Sequence, residues 1–215
     1  MNVEPSLLSA DFGNLERDVK MLNKSKASQL HLDIMDGTLV PNISFGFPVV
    51  EAVAKCSTLP LDAHLMVVEP QRWFEKLNSL GVKRVSFHLE ASGRNTGKYI
   101  DQLHSLGIEA GIAIDPDVPV KKLFKYIGKA DFFLIMSVFA GFGGQKFIYE
   151  SIDRISALKE RIGSKGDKAW IQVDGGVSLD NVKALKDAGA SNIVAGSSVF
   201  KSENPLDYID SLSVN

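Results

Sequence analysis

Four polar residues stand at the ends of runs that otherwise read as buried strand: His31 and Asp33 in QLHLDIMDG, His64 in LDAHLMV, and Asp174 in IQVDGGV. Two imidazoles and two carboxylates make a donor set for one divalent ion such as Zn²⁺, Mn²⁺, Co²⁺ or Fe²⁺. Asp33 and Asp174 could also carry protons as an acid/base pair. His31 and Asp33 are two residues apart, so in a strand both side chains point the same way. An aspartate buried without a partner costs several kcal/mol, so Asp33 needs a cation or hydrogen bonds. The alternative is that all four are core polar groups satisfied by protein, with Asp36 and Asp174 capping turns. No compact local motif of the H-E-x-x-H kind decides between the two.

Glycine-rich turns come later in the chain. Gly141, Phe142, Gly143 and Gly144 lie in VFAGFGGQKF, Gly175 and Gly176 follow Asp174, and Gly196 and Ser197 lie in VAGSSVF. Glycine lets backbone N–H groups approach a phosphate, and a helix start adds a favourable dipole. One such turn reads as a tight connection; three in consecutive late units point to a phosphate. No lysine or arginine lies within them, Lys146 being the nearest, so the grip is expected from backbone N–H groups. Met35, Met66 and Met136 sit at strand ends, either as an apolar floor beneath reacting atoms or as core filling. His88, in VSFHLEA, reads as lining or supporting the same place, with Glu90 within hydrogen-bonding reach.

Positioning these residues requires many strands ending together. Eight short apolar runs, near 3–8, 28–34, 61–66, 82–88, 108–114, 132–138, 169–173 and 192–195, alternate with amphipathic segments. Leu15, Val19 and Leu22 repeat at helical spacing, and Trp73, Phe74 and Leu77 follow Pro70 in a second such stretch. Ser178 reads as an N-cap for a segment closing on Gly189, and Pro205 as the start of a last helix. Eight strand–helix units predict an α/β protein, a closed (β/α)₈ TIM barrel, as one catalytic domain over residues 1–215. An open doubly wound sheet is the alternative, weakened by the count of eight and the lack of an early G-x-G-x-x-G turn. In such a barrel, functional residues collect at the C-terminal mouth and late turns hold phosphate.

Composition narrows the classes of function. The chain has 215 residues, 45% hydrophobic and 23% charged, with a net charge of −2. That gives no electrostatic case for nucleic acid or an anionic membrane surface. No apolar stretch approaches the roughly 20 residues that span a bilayer. Cys56 is the sole cysteine, which fits a reducing compartment, and the first residues do not read as a signal peptide. A cytoplasmic location is expected.

The blocks PSLLSADF, HLDIMDGTLVPNISFGFPVV, LDAHLMV, FHLEA, GFGGQKF, QVDGGV and VAGSSVF resemble the ribulose-phosphate 3-epimerases, in the family's order and over nearly the whole chain. The resemblance implies a TIM-barrel isomerase of carbohydrate metabolism in the pentose phosphate pathway, interconverting D-ribulose 5-phosphate and D-xylulose 5-phosphate. By the same resemblance, His31, Asp33, His64 and Asp174 would hold one divalent metal per chain, with Asp33 and Asp174 as the acid/base pair inverting C3 through an enediolate. Ser9, His64, Met35, Met66 and Met136 would contact substrate. Gly141, Phe142, Gly143, Gly144, Gly175, Gly176, Gly196 and Ser197 would lie along the sugar phosphate. The reaction is redox-neutral, so no nucleotide cofactor is implied, and relatives assemble as homo-oligomers.

Several features depart from the family pattern: Asp115 before Pro116, Phe139 and Ala140 before the glycines, and no histidine in SGRNTG after Glu90. They leave open a sister activity on a hexulose phosphate such as D-allulose 6-phosphate, or a phosphosugar-binding barrel without catalysis. Related decarboxylases use a D-x-K pair. Here Met35 and His64 stand where that lysine would be.

Overall fold

The computed structural model describes residues 1–214. Eight strands form a single sheet: β1 Asn2–Pro5, β2 Leu30–Met35, β3 Leu61–Met66, β4 Arg84–His88, β5 Glu109–Ile114, β6 Phe132–Met136, β7 Trp170–Asp174 and β8 Asn192–Ala195. Every pairing is parallel, in the order β1-β8-β7-β6-β5-β4-β3-β2. The ends of that order meet. Ser6 bridges His31 in parallel fashion, and the backbone N–H and hydroxyl of Ser28 donate to the Val3 carbonyl at 2.9 and 3.1 Å. The sheet is thus a nearly closed barrel, the (β/α)₈ architecture expected from the alternation.

Among the described residues nine α-helices flank it: α1 Leu15–Leu22, α2 Phe47–Cys56, α3 Phe74–Ser79, α4 Leu89–Ser92, α5 Thr96–Ser105, α6 Ser151–Ser164, α7 Val182–Ala188, α8 Ser197–Phe200 and α9 Pro205–Val214. The crossover after β5 is a 3₁₀ run, Val120–Tyr126, instead of an α-helix. Alternate strand residues such as Leu30, Leu32 and Ile34 face the helices and join the main core with Val19, Leu22, Val50 and Val53. The other alternates, including His31, Asp33, Asp62 and His64, are buried inside the barrel.

Two local readings change. β1 stops at Pro5 instead of running to residue 8, because Ser6 turns the chain. Its hydroxyl accepts from the Leu8 N–H at 3.2 Å and opens a 3₁₀ turn, Leu7–Ser9. That turn places Ser9 at the mouth. Ser178 does not cap α7. Its hydroxyl accepts from the Asp180 N–H in the turn before the helix, and Asn181 occupies the cap position.

The N-terminal end of the barrel is plugged. The Phe132 ring stacks on Trp170 at 4.4 Å, and the Arg84 guanidinium lies 4.6 Å over the other ring system of that pair. Gly111 makes room for this plug: a Cβ there would stand 2.3 Å from the Phe132 ring. A glycine inside a strand, unfavourable for the strand itself, is what lets an aromatic ring lie inside the barrel.

Candidate functional site

β2 and β3 carry the centre of the site in register. His31 is paired with Asp62, Asp33 with His64, and Met35 with Met66. Asp174 arrives from the end of β7, across the barrel. The strands thus converge His31, Asp33, His64 and Asp174 so that one ligand atom from each lies within 4.8 Å of the others. His31 Nε2 is 3.4 Å from Asp33 Oδ1 and 3.9 Å from Asp174 Oδ2. His64 Nδ1 is 3.2 Å from Asp33 Oδ1 and 3.8 Å from Asp174 Oδ2. Both imidazoles are fully buried, whereas the Asp174 side chain is 15% exposed and opens to the mouth.

The donor set fits a divalent cation. His31 Nε2 is buried without a hydrogen-bond partner, although it faces two carboxylates. Burial without a partner is costly for such an atom. A cation between the four ligand atoms would satisfy it, and nitrogen with carboxylate oxygen suits a first-row metal. The cluster can therefore chelate one divalent ion.

The side chains around it are held from behind. The Ser6 hydroxyl donates to Asp33 Oδ2 at 2.5 Å, His31 Nδ1 is 2.8 Å from Asp62 Oδ2, and His64 Nε2 is 2.9 Å from His88 Nε2. His88 stacks on His64 with ring centres 5.0 Å apart, and its Nδ1 is 3.9 Å from Glu90. His88 thus supports a site residue. Asp62 and Ser6 were not singled out from the sequence. For Asp62 a signal existed: it lies two residues before His64, so the same alternation turns it inward.

The protein groups alone set a strongly uneven charge distribution. Burial, then the nearby Asp33 charge, pushes the Asp174 carboxyl up to about 7. Burial also opposes ionisation of Asp33, but the His31 charge 3.4 Å away and the hydrogen bond from His64 outweigh it. Asp33 is held well below the usual carboxylate range. Burial likewise opposes the charged form of His31, yet Asp33 and Asp62 raise it well above its ordinary value. Burial brings His64 down to about 4. A divalent cation between these groups would favour ionised Asp174 and neutral His31.

Above this floor lies a cleft with about 540 Å³ of empty space. Ser9, Met35, Met66, Met136, Gly141, Phe142, Gly143, Gly144, Asp33, Asp174, Gly175, Gly176, Gly196 and Ser197 all line it; His31 and His64 lie beneath the lining. The methionines divide between two apolar patches. Met35 and Met66 pack with Val40, Met136 packs with Leu134 and Val138, and Ala140 touches both patches. At Gly196 an added Cβ would stand 2.7 Å from Ser9 Oγ, so the turn after β8 passes directly against the turn after β1. Asn42 ties the β2 loop across the mouth by donating to the Gly141 carbonyl at 2.6 Å. Two of the unusual positions touch: Asp115 Oδ1 accepts from the Ala140 N–H at 3.0 Å, anchoring the glycine loop. Phe139 and Phe142 are both about half exposed on that loop.

Comparison with known proteins agrees with this arrangement. Residues 2–200 match the model of the ribulose-phosphate 3 epimerase family. The chain is 39% identical over 208 residues to "Ribulose-phosphate 3-epimerase" of Synechocystis sp., covering 96% of this chain and 90% of that one. It is also 39% identical over 201 residues to "Ribulose-phosphate 3-epimerase" of Bacillus subtilis, covering 93% and 92%. Among solved structures, the tryptophan synthase α-subunit of Pyrococcus furiosus superposes with a TM-score of 0.72 at 14% identity, over 100% of this chain and 98% of that one. Orotidine 5'-phosphate decarboxylase of Pyrococcus horikoshii gives 0.66 at 15% identity, over 99% and 97%. At those identities the likeness is one of fold alone.

Proposed function

Because this chain belongs to the ribulose-phosphate 3-epimerase family, we propose that it interconverts D-ribulose 5-phosphate and D-xylulose 5-phosphate by inverting C3. The observation that carries the reading is one cleft: its floor holds two histidines and two aspartates, and its rim is made of three glycine turns. His31, Asp33, His64 and Asp174 would hold a divalent ion, which would supply positive charge where negative charge develops on the substrate.

The protein groups do the rest. One aspartate, as carboxylate, takes the C3 proton from one face of the substrate. The other, as carboxylic acid, returns a proton to C3 on the opposite face, and the roles exchange in the reverse direction. Asp33 from β2 and Asp174 from the end of β7 line one cleft from different strands, which suits that division. The Ser6 hydroxyl fixes the Asp33 carboxylate in place. Met35, Met66 and Met136 give the reacting carbon an apolar wall. Ser9 and the turns bearing Gly141, Phe142, Gly143, Gly144, Gly175, Gly176, Gly196 and Ser197 receive the sugar phosphate through backbone N–H groups and hydroxyls.

The whole chain serves as one catalytic barrel in this reading, and as a homo-oligomer, supported by the exposed apolar side chains Ile43, Phe139 and Phe142. A cytoplasmic place is supported by the single Cys56. Among the described residues no helix is long and apolar enough to cross a membrane.

The test is turnover after chelation and metal restoration, with D-ribulose 5-phosphate, D-allulose 6-phosphate and unphosphorylated ribulose assayed side by side. Chelation should abolish activity and Zn²⁺, Mn²⁺, Co²⁺ or Fe²⁺ restore it, with the pentulose phosphate turned over fastest. Full activity in metal-free protein would sink the metal assignment. Faster turnover of the hexulose phosphate would reassign the substrate, and equal turnover of ribulose would remove the phosphate site.

A further inference from the structure

We propose that Asp62 is a positioning residue for the metal: it selects the tautomer and ring plane of His31 through a buried hydrogen-bonded chain that ends at Arg84. The two histidines of the site present different nitrogens. His64 turns Nδ1 toward Asp33 and Asp174, whereas His31 turns Nε2 toward them. Nothing in the local sequence around either residue chooses between these orientations; the group behind the ring does.

Behind His31 stands Asp62. The register of β2 on β3 sets them side by side, and His31 Nδ1 is 2.8 Å from Asp62 Oδ2, with both side chains fully buried. A carboxylate oxygen accepts, so the proton of that bond sits on Nδ1. A neutral imidazole protonated at Nδ1 keeps its lone pair at Nε2, the unpartnered buried atom that faces Asp33 and Asp174. The Asp62 contact therefore makes His31 a ligand through Nε2. A carboxylate there also increases the basicity of the ring toward a cation.

Asp62 is itself fixed. Gln172 Nε2 donates to Asp62 Oδ2 at 2.7 Å and also to Glu4 Oε2. Glu4 Oε1 in turn accepts from Arg84 Nη1 at 2.8 Å and Asn192 Nδ2 at 2.6 Å. The amide of Gln172 thus sits between two buried carboxylates, and Arg84 supplies the compensating charge beyond them. Asp62 does not line the cleft, so it acts on the substrate only through His31. Fold stability alone is a poor reason for this arrangement, because an apolar pair of similar size would avoid burying the charge.

The inference rests on the metal assignment above, and the experiment separates the two. Metal affinity of the purified protein is measured by chelator competition with Co²⁺ and Zn²⁺, for wild type, Asp62→Ala and Asp62→Asn. Asp62→Ala should weaken binding about 10–100-fold. Asp62→Asn, which keeps an oxygen acceptor, should lose clearly less. The unfolding midpoint of metal-free Asp62→Ala should fall as well, because His31 Nδ1 and Gln172 Nε2 lose their buried acceptor. A purely structural role predicts that lower midpoint with unchanged affinity per folded molecule. Nitrogen-15 NMR of the Zn²⁺-loaded wild type should show His31 protonated at Nδ1 and His64 at Nε2. A proton on His31 Nε2 overturns the proposal without any variant, as does wild-type affinity in folded Asp62→Ala. Wild-type protein that binds neither metal would instead overturn the metal assignment.

Discussion

The two ends of the barrel interior are built from similar materials and put them to opposite use. At the N-terminal end, Arg84, Glu4, Phe132 and Trp170 fill the space, with Glu109 half exposed at its edge. Arg84 donates to Glu4 at 2.8 Å and Glu109 at 2.7 Å while lying on the Trp170 ring. At the C-terminal end, His31, Asp33, His64 and Asp174 are brought together with one nitrogen unpartnered and an open cleft above. Both ends bury charge. At the lower end Arg84 pairs directly with Glu4; at the upper end an unpartnered nitrogen between two carboxylates leaves a gap that a cation fits. The lower end therefore closes the barrel, and the upper end holds groups poised for a ligand.

The sharpest way to break that contrast is to remove an upper carboxylate. Asp33→Asn and Asp174→Asn should each lower kcat by at least ~100-fold, because positioned acid–base groups supply about 10²–10⁴. Metal content must be measured on the same samples, since both residues are expected ligands. Asp174→Asn should leave the unfolding midpoint of metal-free protein unchanged or higher, because burial and the Asp33 charge both oppose its ionised form. Near-normal turnover in a metal-loaded variant, or a large loss of stability, would reverse the division of labour.

The complementary change is Gly111→Ala at the plug. A Cβ 2.3 Å from the Phe132 ring must displace it. Overpacking of this kind costs about 1–3 kcal/mol. Denaturant unfolding should show that loss, while turnover per folded molecule changes far less than in Asp174→Asn. Wild-type stability would mean that Phe132 has room to move and the plug is loose.

The smallest effect is a slope. Burial, then the Asp62 charge, raises the Glu4 pKa from its ordinary 4.5 to about 7 against the pull of Arg84. The folded state therefore holds a proton that the unfolded chain releases between those values. The stability tied to that proton is fully present below 4.5 and is lost as pH rises through about 7. Glu4→Gln removes the titration and leaves Arg84 its Glu109 partner. Between about pH 5 and about pH 8 the variant should lose less stability than wild type, by on the order of 1 kcal/mol. Parallel stability curves for the two proteins would show that Arg84 fully compensates Glu4 at every pH.

Much of this was legible in the chain. Alternating apolar runs and helical stripes specify eight strand–helix units, because burial on two faces imposes a period on each element. The two-residue spacing of His31 and Asp33 fixes that both face one way, and the glycines mark turns where backbone must pass close to something. Local chemistry also set limits: Pro205 starts a helix and Gly189 ends one. What the sequence left open depends on which residues of different strands stand side by side. The pairing of His31 with Asp62, the nitrogen each histidine presents, the contact of Asp115 with Ala140, and the meeting of Gly196 with Ser9 all follow from strand register and barrel closure. Register is a property of the assembled sheet, set by how the strands stagger to close the barrel. A period read along one strand says which way a side chain points, but not what it will meet.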